Sequence, residues 1–473
     1  MLICSTIKRR PFLITILALL LFITTSSSLL STQSHAGVLW ELTYQIDRSQ
    51  VPDLYYNDLT VLIDVGTVNS VSVEVDGGSV SSTYNAASGI VQFTTSGSAI
   101  LLTIDGAQDS DMPAPASKAA LLDNKEWAWS HGFDDNVNLK PAIAAFNAKN
   151  WQATLFMITS IIDDTRQQSW IVDKPDLLAY LNQGWGVGSH GLLSTCDGEN
   201  QAQQLAAIDR LEDIVDDSSV PNYKIISFAV PCFKSNLYIP DFIEILNDGT
   251  TDLQFYESGN DYMRLVDPEF VKPHGSVNLP TFSAGEGEAV GLELVGALGR
   301  DFSIELSGEH GIDSVLEKLD WMATHASNGR HFWYNTLSHG SSEANLTLAI
   351  NHVYNNYGPN GTNEAWVAPS DRIYSYILVR DNSQITLTSI KKGGVPWSQS
   401  TQTPNPSPSF TTTPPPTQIN TETFTPTDTA TATQSLNSTP TPAAVTPTAT
   451  APSNTATPSS ETAEAIFLPM VRR

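Results

Sequence analysis

The sequence predicts a chain of mixed class: a small all-β domain, then a larger α/β domain built as a barrel or open parallel sheet, then a tail without a core. Three observations lead there. Residues 38–106 hold short β-branched and apolar runs parted by Gly, Asn, Asp and Ser turns. From about Lys118 to Gly394 short apolar strands alternate with helical segments. From Ser400 to Glu464 the chain is mostly Thr, Pro, Ser and Ala, which cannot bury a core.

Residues 1–36 read as a signal peptide. Lys8-Arg9-Arg10 precedes an apolar run from Phe12 to Ile23, and small residues lead to Ser34-His35-Ala36. An uncleaved anchor is the alternative, although the apolar run is short for a bilayer. No other segment is long and apolar enough to span one, so the mature chain is expected to be exported. The formal charge is -26. Removing residues 1–36, which carry basic residues and no acids, would take it to about -29. Such a chain repels nucleic acid and anionic lipid, and suits a neutral or cationic partner.

Residues 37–110 are expected to form a β-sandwich from Val61–Val65, Val71–Val75, Ile90–Phe93 and Ile100–Ile104. It serves as a spacer or as a carbohydrate-binding module. A linker is expected over Asp109–Ser117, with Pro113 and Pro115. The α/β domain is expected over 118–394. Its strands include Trp127–Phe133, Ala153–Ile158, Gly186–Ser189, Lys224–Val230, Leu253–Tyr256 and Phe332–Leu337. In either form of such a domain, functional residues gather at the C-terminal ends of the strands. A Thr/Pro-rich tether is expected over 395–464, and an apolar-basic tail over 465–473 reads as a surface-retention signal or a docking strand.

Trp129-Ser-His-Gly-Phe-Asp134-Asp135-Asn136 is the most informative stretch. An apolar strand runs into two acids, and a charge at the end of a buried strand costs several kcal/mol to desolvate without a partner. The pair reads as a metal ligand beside a general base, or as a solvated turn and helix cap. Gly188-Ser-His190 and Leu337-Ser-His339 each place an imidazole directly after a strand. A lone histidine is more often structural, but carboxylates and imidazoles at separate strand ends form an ordinary divalent-cation set. Cys196 and Cys232 remain after export and permit one disulfide, two buried thiols or thiolate ligation.

The order of these segments resembles the polysaccharide deacetylases, the NodB-homology carbohydrate esterases, over about Lys118 to Arg380. Phe133-Asp134-Asp135 resembles the first motif, Asn150-Trp-Gln-Ala-Thr154-Leu-Phe156 the stretch after it, and Gly188-Ser-His190 the second motif. Phe228-Ala-Val-Pro231-Cys232-Phe233 sits at the third, Leu337-Ser-His339 at the last, and Trp366 to Tyr376 resembles the closing helix. The resemblance implies a deformed (β/α) barrel of NodB type and metal-dependent removal of acetyl groups from a glycan. It implies Asp134 as general base, His339 as general acid, Asp135 and His190 as ligands of a divalent metal such as zinc, and the Cys232 amide as oxyanion donor. It also implies an acetylated polysaccharide or peptidoglycan-like partner; charge argues against nucleic acid, the leader for a secreted or surface-held chain, and a monomer is expected.

Two departures stand out. The second motif ordinarily has another His where Ser194 stands, which leaves Cys196, Asp197, His131 or water as third ligand. The third ordinarily has an Arg where Ala229 stands, a role left to Lys234 or another cation. Cys232 also stands where the third motif ordinarily has a Tyr; Cys196 and Cys232 fall in the second and third motif loops, where a disulfide would account for the missing His and Tyr. The rival functions are an impaired deacetylase-like barrel that binds glycan, and a purely adhesive surface protein.

Overall fold

The structure is a computed structural model that describes residues 38–398 apart from 163–169, 221, 259–262, 268–296, 307–309, 327–328 and 341. The expected signal peptide (1–36), the C-terminal tail (465–473) and all but the first few residues of the tether (395–464) lie outside the described residues.

The chain opens with strands β1 (Leu39–Asp47), β2 (Leu59–Asp64), β3 (Ser70–Val75), β4 (Gly78–Ser79), β5 (Thr83–Asn85), β6 (Ile90–Thr95), β7 (Ala99–Asp105) and β8 (Ala116–Lys118). Burial follows a period of two: Trp40, Leu42, Tyr44 and Ile46 of β1 turn inward while their neighbours do not. β1, β7, β3 and β4 lie in one sheet; β5, β6, β2 and β8 form a second. Their inner faces share a core that includes Trp40, Leu42, Val61, Ile63, Phe93 and Leu102. The expected linker Asp109–Ser117 thus ends in a strand, β8, paired with β2.

The α/β part follows. Its elements are β9 (Trp127–Phe133), α1 (Lys140–Asn147), β10 (Thr154–Met157), α2 (Thr159–Ile162), α3 (Lys174–Leu181), β11 (Gly186–Ser189), α4 (Gln201–Asp216), β12 (Ser227–Ala229), α5 (Ser235–Asp248), β13 (Phe255–Glu257), β14 (Met263–Leu265), β15 (Ala297–Leu298), α6 (Ile312–Ala326), β16 (Phe332–Ser338), α7 (Glu343–Asn356), β17 (Ala365–Val367) and α8 (Ser370–Asn382). They build a nine-stranded sheet in the order β14-β16-β9-β10-β11-β12-β13-β15, with β17 also on β9. Every pairing is parallel except that of β14 with β16. β9 and β16 are buried along their whole length, as parallel strands covered on both faces are. Just past β15, Asp301 bridges Thr336 of β16, with Asp301 N–H on Asn335 O at 2.9 Å. The sheet therefore curls round on itself, as a deformed barrel requires.

Local sequence explains the helix starts. Asp173 caps α3, accepting from Asp176 N–H, and Pro175 occupies the first turn, where no amide partner is missed. Asn200 and Gln203 close a reciprocal capping box at α4. Among the described residues no helix is long and apolar enough to cross a membrane.

The chain then returns to the sandwich. β18 (Gln384–Lys392) pairs with β1, and β19 (Val395–Pro396) with β18. Both were expected elsewhere, β18 in the barrel and β19 in the tether. The alternating exposure of β18 and its Thr, Ser and Lys side chains suit a half-solvated antiparallel strand and not a barrel interior. Ile373, Tyr374, Tyr376, Ile377, Leu378 and Val379 of α8 join the same core as the sandwich, together with Trp333 and Trp366 of the barrel.

Candidate active site

The C-terminal ends of the parallel strands carry the site. β9 leads into Asp134 and Asp135, β11 into His190, β12 into the Cys232 turn, β15 into Arg300 and β16 into His339. Asp134 is 4 % exposed. Asp135 has a left-handed backbone, φ 61°, which aspartate tolerates better than most residues. The turn sends the two carboxylates apart, Asp134 inward and Asp135 to the half-open rim. Asn136 holds the segment still: its side chain accepts from Ile158 N–H at 2.8 Å and donates to Ile158 O at 3.2 Å.

The expected residues come together. His190 Nε2 lies 3.7 Å from Asp135 Oδ1 and 3.9 Å from Asp134 Oδ2. His339 Nε2 lies 4.0 Å from Asp135 Oδ2. His190 Nδ1 is 2.9 Å from the Ala229 carbonyl, which can only accept, so Nδ1 carries the proton and Nε2 faces the carboxylates.

Two residues that the sequence did not single out complete the arrangement. Arg300 Nη1 donates to Asp134 Oδ1 at 2.6 Å, both groups being buried. Glu305 bonds His339 twice, through the ring Nδ1 at 3.1 Å and through the backbone amide. The cation beside Asp134 is thus Arg300, and not the exposed Lys234 or any residue of the third-motif loop. Behind it Glu257 is fully buried, 3.8 Å from Arg300 Nε, and accepts from Asn335 Nδ2 at 3.0 Å.

The charges separate in a useful sense. Burial would raise the Asp134 carboxyl, but Arg300, His190 and His339 outweigh it and bring it down to about 2. Burial would depress the His339 imidazole, but its bond to Glu305 and the carboxylates of Asp134 and Asp135 lift it to about 9. The pair of shifts favours an ionised Asp134 and a charged His339 at the same rim. Glu257 is pushed up to about 7, chiefly by burial, despite Arg300.

The structure corrects the third-ligand candidates. Cys196 is joined to Cys232, S–S 1.96 Å, so neither sulfur is a thiolate. His131 is buried in the barrel wall, with Thr336 and Ser338 hydroxyls on its two nitrogens at 2.8 Å, and burial pulls its imidazole down to about 3. Asp197 is exposed, and among the described residues no group of three or more His, Cys, Asp or Glu side chains is arranged to hold a metal ion. Where a second imidazole was expected, the Glu199 carboxylate accepts the amides of Leu192, Leu193 and Ser194 at 2.9, 2.6 and 3.0 Å. That cradle sets the loop, and Ser194 takes φ 51°. Asp135 and His190 do fit a divalent cation as a two-donor partial set, since donors 3.7 Å apart can both reach one ion at about 2.1 Å.

No protein-family profile matches the sequence, and no curated protein does. The solved structures similar to this chain include polysaccharide deacetylases. One from Mycobacterium smegmatis is 14% identical, with 56% of this chain and 94% of that chain covered and a TM-score of 0.34. A mutant of the peptidoglycan deacetylase of Bacillus subtilis is 13% identical, covering 53% of this chain and 90% of that one at a TM-score of 0.27. A CE4 family pseudoenzyme from Bacillus anthracis is 11% identical, covering 53% of this chain and 66% of that one at a TM-score of 0.29. Likeness at these scores carries no conclusion about activity; the side-chain geometry has to.

Proposed function

We propose that this chain is an exported, surface-retained hydrolase of the polysaccharide deacetylase type, removing acetyl groups from an acetylated, peptidoglycan-like glycan through an amide or ester bond. The observation that carries the reading is the paired arrangement at one rim: Asp134 ion-paired to Arg300, and His339 ion-paired to Glu305, on either side of Asp135 and His190.

Asp134, ionised, takes the proton of an attacking water. Arg300 fixes its orientation and keeps it ionised. His339, held protonated, passes its proton to the leaving amine or alcohol. The Cys232 amide, in a turn tied by the disulfide, would donate to the developing oxyanion. Asp135 and His190 would hold a divalent cation, zinc being the natural choice for such donors, with waters in the remaining positions. When bound, such a cation supplies Lewis acidity toward the acyl carbonyl.

The test is acetate release from N-acetylated chitooligosaccharides and from peptidoglycan fragments, with chelator and with zinc restored. The reading expects release that chelator suppresses and zinc restores. In Asp134→Asn the rate should fall by about a hundredfold or more. Release unchanged in that variant would reject the assignment.

The second reading, a glycan-binding barrel with impaired catalysis, draws on the Glu199 cradle, which leaves Ser194 in place of a third protein donor. Specific glycan binding without acetate release in any metal condition would favour it.

A further inference from the structure

Two rim loops that carry site residues, and the segment that pairs with the chain after Asp135, expose large apolar side chains. Trp170 is 45% exposed, Leu193 53% and Leu306 41%. Leu193 lies on the loop after His190, and Leu306 directly follows Glu305. Trp170 is the one whose side chain has an extended flat face.

Trp170 is fixed to the segment that follows the two acids. Its carbonyl accepts from Asn138 N–H at 2.6 Å, and Val172 N–H donates to Asn136 O at 2.8 Å. Between these bonds Val137 and Ile171 form an antiparallel bridge. Asn138 also touches the loop of the general acid: a Cβ on Gly340 would come within 2.4 Å of its carbonyl oxygen. Trp170 thus borders a segment in contact with both catalytic loops. Asn138 is separated from Asp135 by a stretch of chain that reaches at most about 10 Å, roughly the length of one or two sugar rings.

Leaving an indole half in water forgoes the burial that an aromatic side chain ordinarily gains. A pyranose ring offers an apolar face of axial C–H groups with hydroxyls at its edge, the shape that covers an indole while its edge stays wet. The acidic charge of the chain repels anionic polymers and leaves neutral sugars free to approach.

We propose that Trp170 is a stacking platform for a sugar ring next to the one whose acetyl group enters the site, so that the chain recognises an oligomer and not a single sugar. This rests on the deacetylase-type reading for the identity of the ligand, a neutral N-acetylated glycan. Because Trp170 is held by backbone bonds and its side chain is exposed, replacing it leaves the site's own residues in place.

The test is calorimetric titration with N-acetylglucosamine and its β-1,4 oligomers up to the pentamer, in an Asp134→Asn background that blocks turnover. Affinity should rise with length for this background protein. Adding Trp170→Ala should lower pentamer affinity by about tenfold and leave the monosaccharide unchanged, while Trp170→Phe retains most of it. Equal pentamer affinity with and without the indole overturns the proposal. So does the absence of length-dependent binding, or a Trp170→Ala chain whose only change is its oligomeric state. Acetate release by the unsubstituted chain is measured separately. Length-dependent binding lost in Trp170→Ala, together with no acetate release, would retain the platform and reject the hydrolase.

Discussion

At the residue scale, Asp134 and Arg300 depend on each other. Both are buried, and removing the cation leaves an uncompensated carboxylate in a dry site. Arg300→Met should lower unfolding free energy by about 3–5 kcal/mol, and the double variant with Asp134→Asn should recover part of that loss. Urea denaturation of the two single variants and the double would show it; a double variant as unstable as the sum of the singles would argue against the pair. A second residue-scale prediction concerns Asp371, at the start of α8. Burial raises its carboxyl to about 6 despite the hydroxyl bond from Tyr223. The folded state therefore holds this proton more tightly than the unfolded chain does. Its contribution to stability is full below the unfolded value and is lost as pH climbs to about 6 and above. Asp371→Asn should flatten the melting temperature over that window and gain up to about 3 kcal/mol relative to the parent near neutrality. A variant that loses stability with pH as the parent does would contradict this.

At this scale the residues that the sequence marks are those whose chemistry stands out locally. Asp134, Asp135, His190 and His339 each follow an apolar strand, so a charge or imidazole stands out against its neighbours. Arg300 and Glu305 did not stand out. Ala297–Leu298 is too short a strand to show periodicity, and a single Arg in Gly-Arg-Asp matches no spacing rule. The usable signal was the apolar run into Arg300-Asp301, the same shape as Phe133 into Asp134-Asp135. Ser194 was visible as a departure, whereas the Glu199 cradle around it depends on backbone geometry that spacing does not reveal.

At the element scale, the disulfide joins the loop after β11 to the turn after β12. Cys232 sits there with a left-handed backbone, φ 52°. The bridge closes a loop of sequence separation 36, which restricts the unfolded chain. Cys196→Ser should lower stability by about 2–4 kcal/mol. It should also reduce acetate release through the loosened turn, with Asp134 and His339 untouched. Thermal melting and assay of this variant and of the reduced parent check both; a variant with parental stability would show that the bridge restrains nothing. The strand returning to the sandwich belongs to this scale too. Gln384–Lys392 was not singled out as a strand within the expected 118–394 domain, and its partner Leu39–Asp47 lies at the other end of the chain.

At the scale of the molecule, the sandwich and the barrel share apolar contacts through α8, and β18 ties the end of the barrel to the first strand. Calorimetry of residues 38–398 should therefore give one transition, and a chain cut after Asn382 should melt at lower temperature with the edge of β1 unpaired. Two resolved transitions would show that the parts fold apart. Alternation of strand and helix made the α/β class readable in advance, and β-branched runs did the same for the sandwich. Their shared core was not readable, because it is built from α8, buried nearly all round, and single residues such as Trp333 and Trp366.

Anomalous diffraction at the zinc edge from crystals grown with zinc tests the site most directly. The account predicts a single strong peak between Asp135 and His190, with Asp134 on Arg300 and His339 on Glu305 beside it. A peak elsewhere, or these side chains facing separate surfaces, would contradict it.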